Sequence, residues 1–267
     1  NRSRSALRDG SISVLSAAFG ALLVALIAVA FFALVAHNPA AIWQLDQPHR
    51  ELVREALVVS LESTFASAIA IVIMGTPLAL LLTRRFPGRD WLEAFVTLPV
   101  VLPPVVAGLA LLLAFGRRGL LGHALGIAGI HIPFTLLAVV MAQTLVAAPL
   151  YIVAAKNAFE RTDPQLIDAA ATLRASYTYT ALRVIIPPAL PALGAALALA
   201  WARALGEFGA TITFAGNLPG VTQTMPIAVY IEGQGDLDTA VAIALILLVV
   251  SFAVLVASRW LQSRAST

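Results

Sequence analysis

The sequence contains no cysteine. That absence removes disulfides, thiolate metal sites and thiol catalysis together. Lysine is almost missing too: it occurs once, at Lys156, and in no glycine-rich phosphate loop. A chain without the lysine of such a loop is not a P-loop nucleotide hydrolase by itself. Charge of either sign is scarce. Only 12% of the 267 residues are charged, against about 25% in a soluble domain. The formal excess of +3 comes from scattered arginines, with no clustered basic face for nucleic acid. Hydrolase patterns (HExxH, GxSxG, paired carboxylates) are also missing, so no enzyme is expected. What the chain has in quantity is apolar residues, 60% of the total. Several membrane spans would consume it as one all-α integral membrane domain.

Six spans are expected, at about 11–36, 57–82, 91–115, 133–155, 188–208 and 239–257. The uncharged run Ser11–Ala36 exceeds the roughly 20 residues a bilayer needs. It is also longer than a signal-peptide core of about 7–15 residues, so it reads as a retained first span. The chain opens on Asn1 rather than Met, as if residues ahead of it were removed or absent. Pro77 should kink the second span. Pro99, Pro103 and Pro104 argue against a continuous straight third span, and such breaks survive only where protein or water satisfies the backbone. Alanines and Gly194 crowd the fifth, which suits close helix packing at the bundle centre or at a subunit contact. With the N-terminus inside, inner segments hold twelve Lys and Arg, among them Arg2, Arg4, Arg8, Arg84, Arg85, Arg89, Arg259 and Arg264. Outer segments hold four: Arg50, Arg54, Arg117 and Arg118. Both termini are therefore expected in the cytoplasm, with Trp91 and Trp260 at the inner interface.

Residues 156–187 form the longest polar segment, an inner loop. Asp163 and Pro164 suit a helix start. An amphipathic turn follows, then a second short helix, about 177–186, up to Pro187-Pro188. One reading is an interfacial hairpin. The other is a docking surface, since Ala169, Ala170 and Ala171 let another surface come close. The spacing resembles the cytoplasmic motif of import permeases of ATP-binding-cassette transporters: acidic-Ala-Ala, a Gly four residues later, then I-x-L-P. Here Asp168-Ala169-Ala170 opens it, Arg174 stands at the Gly, and Val184-Ile185-Ile186-Pro187 closes it. In that family the hairpin is the coupling helix seated in a groove of the ATPase. Arg174 in place of Gly demands a turn that avoids positive φ, or a strained Arg174.

The second unusual stretch is Trp201–Pro226, on the outer side by the loop charges. Arg203 and Glu207 sit four residues apart and can pair on one helix face. Each charge alone at mid-membrane would cost about 2.5–3.5 kcal/mol. The pair is either a polar element beside a path or a neutralised lock between helices. Leu205–Pro226 and Leu98–Leu112 are similar to the corresponding segments of molybdate permeases, and sulfate permeases share Gly206–Ala210. The similarity spans about 57–256. An oxyanion repels a carboxylate at close range, so Glu207 suits a partner of Arg203 or a gate. Thr211 and Thr213 offer neutral donors for weak, transient anion contacts, or bond their own backbone. Glu62 could pair with Arg54 or Arg203, or sit at the interface. His123 and His131 lie without carboxylates nearby, and no metal site is expected.

The resemblance implies the six-helix type I importer permease fold in a bacterial or archaeal inner membrane. It implies a homodimer with the path on its two-fold axis and two cytoplasmic ATPase subunits that bind ATP and Mg, leaving no cofactor on this chain. An external oxyanion-binding protein would deliver molybdate or tungstate. Asp168, Ala169, Ala170, Leu173, Arg174 and Ala175 would carry ATPase coupling. Arg203, Glu207, Thr211, Thr213 and Phe214 would line the path or gate. A bulky charged residue at Ala170 should uncouple transport. The alternatives are a sulfate or thiosulfate permease, and an ATP-independent anion channel, which would have no use for the inner hairpin.

Overall fold

A computed structural model describes residues 2–265, with side chains over 16–256. The expected anchors Arg2, Arg4, Arg8, Arg259, Trp260 and Arg264 fall outside the described side chains. Among the described residues every regular element is helical. The first half holds α1 (Arg2–His37), α2 (Ala41–Gln44), α3 (Gln47–Leu82), α4 (Arg89–Val101), α5 (Pro104–Phe115) and α6 (Gly122–Ile127). The second holds α7 (Leu136–Glu160), α8 (Pro164–Thr172), α9 (Tyr177–Thr180), α10 (Ile186–Leu205), α11 (Gly209–Ala215), α12 (Met225–Glu232) and α13 (Leu237–Ala265). Five helical stretches are long and apolar enough to cross a membrane: 16–44, 47–82, 136–160, 177–205 and 237–256. The pair α4 and α5, bent by 115°, makes a sixth if the two are counted as one span.

Proline chemistry explains that bend. Leu102 and Pro103 each precede a proline, which disfavours the helical region, and both are extended (ψ 137° and 133°). Pro104 then opens α5 at a position where a missing N–H costs nothing. Prolines also shape the fifth long helix. The expected short helix at 177–186 and the span from 188 are one continuous helix from Tyr177 to Leu205. Pro187 and Pro188 have no N–H for the carbonyls one turn back. A π-turn at Ala181–Ile185 absorbs the mismatch, with the Ile186 N–H bonding the Ala181 carbonyl five residues back. The second long helix starts ten residues before the expected span because Asp46 caps it, accepting the His49 N–H at 3.1 Å.

The bundle centre is α3, α7 and α10, where Ala147, Ala155, Ala196 and Ala200 let backbones approach around Ile71 and Tyr151. A second cluster joins α5, α7 and α11 around Val139, Ala210 and Phe214. A third joins α3, α12 and α13 around Ala56, Met225 and Ile243. Ser60, Ser63, Thr64 and Ser67 share one buried face of α3, as i, i+3, i+4, i+7 spacing dictates. Their hydroxyls meet partners inside the protein, as a lipid surrounding demands. Ser60 Oγ accepts the Met225 N–H at 2.7 Å, Gln143 Nε2 donates to Ser63 Oγ at 3.1 Å, and Ser67 and Thr144 hydroxyls lie 3.0 Å apart. These bonds pin the loop before α12 and the middle of α7 to α3.

Candidate functional sites at the two ends of the bundle

The turn between α7 and α9 builds the first site. Asp163 caps α8 by accepting the Gln165 N–H at 2.9 Å. At the other end the Ala175 N–H returns to the Ala170 carbonyl (3.0 Å) and the Arg174 N–H to that of Ala171 (2.9 Å). This is the Schellman closure, whose left-handed position usually holds glycine. Arg174 occupies it with φ +56°, so the turn is kept and the arginine is strained. Asp168, Ala169 and Arg174 are exposed, and Leu173 is 82% exposed. Ala170, by contrast, is enclosed by the hairpin itself, 8% exposed. An open groove of about 540 Å³ runs beside α8, lined by Leu166, Ala169, Ala170, Leu173, Tyr179 and Val184. Ala175 borders the same groove.

The second site lies at the far end of α10. Helix α10 stops at Leu205, and Glu207 turns its carboxylate to two tasks. Oε1 accepts the Ala210 N–H at 2.9 Å and so caps α11. Oε2 lies 2.7 Å from Arg203 Nη1, at contact distance though outside good hydrogen-bond direction. Glu207 is 1% exposed, whereas 35% of the Arg203 side chain is open. Neither Arg54 nor Arg203 reaches Glu62: Arg54 lies 3.7 Å from Glu51, and Glu62 stays exposed beside Leu61, Phe65 and Trp201. The threonines part company. Thr213 spends its hydroxyl on the Gly209 carbonyl at 2.7 Å, the self-bonding alternative left open by the sequence. Thr211 is wholly enclosed and its hydroxyl has no partner. Phe214 is fully buried among Val139, Ala142 and Phe115, with rings 6.5 Å apart in the last pair. Within one chain it packs α11 and faces no open space. Gln223 Oε1, Thr224 Oγ1 and Gln143 Oε1 are likewise buried without partners, so the α3–α7–α11 side holds unspent hydrogen-bonding capacity.

A third constellation escaped the sequence reading. Lys156 Nζ lies 2.6 Å from Glu93 Oε1 and 3.8 Å from Glu160; Arg89 Nη2 lies 3.2 Å from Glu160 and 3.8 Å from Glu93. The Arg84 guanidinium stacks 3.5 Å above the Tyr177 ring. Arg89–Glu93 and Lys156–Glu160 are i,i+4 pairs on their own helices; the contacts that cross between helices join residues 63 to 93 apart, beyond any local pattern. The available signal was Glu93, a carboxylate just inside an apolar segment that would need a cation.

A family model described as the binding-protein-dependent transport system inner membrane component matches residues 71–267. A molybdenum transport system permease protein, ModB, of Mycobacterium bovis is 45% identical over 198 residues, covering 73% of this chain and 75% of that protein. A probable sulfate transport system permease protein, cysT, of Nephroselmis olivacea is 34% identical over 210 residues, covering 78% and 74%. In structure, a bacterial alginate ABC transporter solved in complex with an alginate pentasaccharide-bound periplasmic protein superposes with a TM-score of 0.68. Identity there is 16%, over 93% of this chain and 94% of that one. The fold is thus that of ABC importer permeases, and the chain belongs to the family of inner membrane components of binding-protein-dependent transport systems.

Proposed function

We propose that this chain is the permease subunit of an ATP-driven importer that carries molybdate or tungstate. The observation that carries the reading is the α8 hairpin. It sets Leu173 and Ala169 outward beside an apolar groove at the end of a membrane bundle. A hairpin closed by its own Schellman bonds yet left with an open apolar face has its partner on another chain. We assign that partner as a cytoplasmic ATPase; in this reading both termini lie on the same inner side. Two copies of the permease assemble around the path, with an external binding protein delivering the anion. The oxyanion follows from the 45% identity to the mycobacterial molybdenum permease, above the 34% to the sulfate protein.

In this reading ATP and Mg sit on the ATPase, and this chain supplies movement. The hairpin shifts with the ATPase, and the 203–214 segment passes the anion. Arg203 is the half-open cation there, and the Thr211 hydroxyl is the unspent donor. Neutral or paired groups bind an oxyanion weakly enough to release it.

Ala170 is enclosed, so a large residue there would distort the hairpin itself. The cleaner test is Ala169→Glu, on the exposed face. It should leave membrane insertion intact and abolish both retention of the ATPase and ATP-driven molybdate uptake in proteoliposomes. Retention and uptake at the level of the unaltered complex would refute the docking assignment. In the same vesicles tungstate should compete with labelled molybdate and sulfate should not; the reverse order would make the chain a sulfate permease.

A further inference from the structure

The three arginines Arg84, Arg85 and Arg89 are expected from the sequence in an inner segment. Two of them hold the hairpin. Arg84 stacks on Tyr177, the first residue of the helix that leaves it. Arg89 pairs with Glu160, the last residue of the helix that enters it. The Arg89 Nε donates to the Leu82 carbonyl at 2.7 Å, which fixes its guanidinium to the end of α3. Lys156, with 10% of its side chain open, bonds Glu93 on α4. The four charges form a closed ring of alternating sign between α4 and α7, and both hairpin legs are tied to one turn.

What lies beyond the ring gives the clamp a purpose. Helix α4 continues through the 115° bend into α5. At Gly108 the backbone of α5 comes directly against that of α11. A Cβ on Gly108 would fall 2.6 Å from the Ala210 carbonyl oxygen, and one on Gly209 would fall 2.9 Å from Pro104 Cβ. Backbone pressed on backbone transmits a shift rather than absorbing it. Helix α11 is in turn capped by Glu207, the partner of Arg203. An unbroken series of contacts therefore runs from hairpin to ring, to α4, to α5, to α11 and the polar segment.

We propose that Arg84 and the Arg89–Glu93–Lys156–Glu160 ring are positioning residues that clamp both hairpin legs to the α3–α4 turn, so that hairpin movement drives α4–α5 and, through Gly108, the 207–214 segment. The proposal rests on the reading of the hairpin as the ATPase contact. None of these side chains touches the anion or the nucleotide; they act through the helices they join.

The test uses the whole complex of permease, ATPase and binding protein in proteoliposomes. Because the chain has no cysteine, a pair introduced as Arg84→Cys with Tyr177→Cys can be bridged selectively by a short bis-thiosulfonate linker. Reduced, this variant should retain the ATPase and its basal hydrolysis, while uptake stimulated by loaded binding protein falls about tenfold or more, within the usual range of coupling between sites. Bridged, it should regain uptake. The uncharged pair Glu93→Gln with Lys156→Met should show the same loss with the ATPase retained, and the linker should not rescue it. Normal uptake in the reduced variant, failure of the bridge to restore it, or loss of the ATPase from either variant would overturn the proposal. Failure of the hairpin reading is distinct: there Ala169→Glu retains both ATPase and uptake, whatever the clamp variants do.

Discussion

The two ends of this bundle use the same residue types to opposite ends. At the hairpin, alanines leave room outside the chain, a leucine stands in the open, and an arginine is strained in a turn. At the 203–225 segment, alanines let α10 and α11 bury themselves, and Glu207 is enclosed, with one oxygen capping α11 and the other 2.7 Å from Arg203. The charges differ in the same way. Those around Lys156 form a partly open ring of four across two helices, whereas Arg203 and Glu207 form a single pair closed by a helix cap. In the proposed reading one end is completed by another molecule, whereas the ion pair at the other end is made within the chain. A surface that must be met can be exposed and strained, while a charge held inside a membrane needs a partner of opposite sign.

The largest expected effect breaks that matching. Arg203→Ala leaves a buried carboxylate without its cation, which costs about 3–5 kcal/mol when one member of a buried pair is removed. Glu207→Gln should cost much less. The amide oxygen can still accept the Ala210 N–H, and a third of the Arg203 side chain already reaches outside the chain. Thermal midpoints of the two variants in nanodiscs give the order. Equal losses would mean that the pair is not organised by the burial of Glu207.

Next comes the contact between α5 and the same segment. Gly108→Ala puts a methyl group 2.6 Å from a backbone oxygen and 2.8 Å from Thr213 Cβ. Overpacking of this kind costs about 1–3 kcal/mol. Melting should drop accordingly. A Gly→Ala change at the exposed Gly126, where a Cβ meets nothing within 4 Å, should not lower it.

These two sites also show what a sequence can reveal. The pairing of Arg203 with Glu207 was legible because helical period alone puts i and i+4 together. The capping of α11 by Glu207 was not, because it depends on where α10 stops. Pro99, Pro103 and Pro104 announced a broken third segment, and it breaks at the two residues that precede prolines, Leu102 and Pro103; its angle of 115° was not legible. The departure at Arg174 was legible as a choice between two turns, and the backbone takes the strained one. The hydroxyls of Thr211 and Thr213 looked alike in sequence, yet one is spent on its own helix and the other has no partner. In the clamp, Arg89–Glu93 and Lys156–Glu160 follow the same i,i+4 rule, whereas the cross-helix contacts Lys156–Glu93, Arg89–Glu160 and Arg84–Tyr177 are brought together only by the fold.

Arg174 tests the exposed end. A non-glycine residue in the left-handed region costs about 1–2 kcal/mol, and glycine gives back part of that through the freedom of its unfolded chain. Arg174→Gly should therefore slow local exchange of the Ala175 and Arg174 amides severalfold, with little change in the melting of the whole protein. A drop in global stability as large as that of Gly108→Ala would erase the distinction between the two ends.

Acid probes the opposite end from the hairpin, with the smallest expected effect. Asp46 and Asp236 cap α3 and α13. The His49 backbone N–H, then its ring, holds the Asp46 carboxyl below the ordinary value of 3.8, and the Thr239 hydroxyl and N–H do the same for Asp236. A carboxyl whose folded pKa is depressed contributes its stability above the unfolded value and loses it as pH falls through the folded one. Amide protection at His49 and Thr239 should stay constant from neutral pH down to about 4 and decline only below that. Asp46→Asn should remove the acid response at His49 while keeping an acceptor for its N–H, because asparagine caps a helix about as well as aspartate without titrating. Protection at His49 that still fades below pH 4 in that variant would move the response to a group other than the cap.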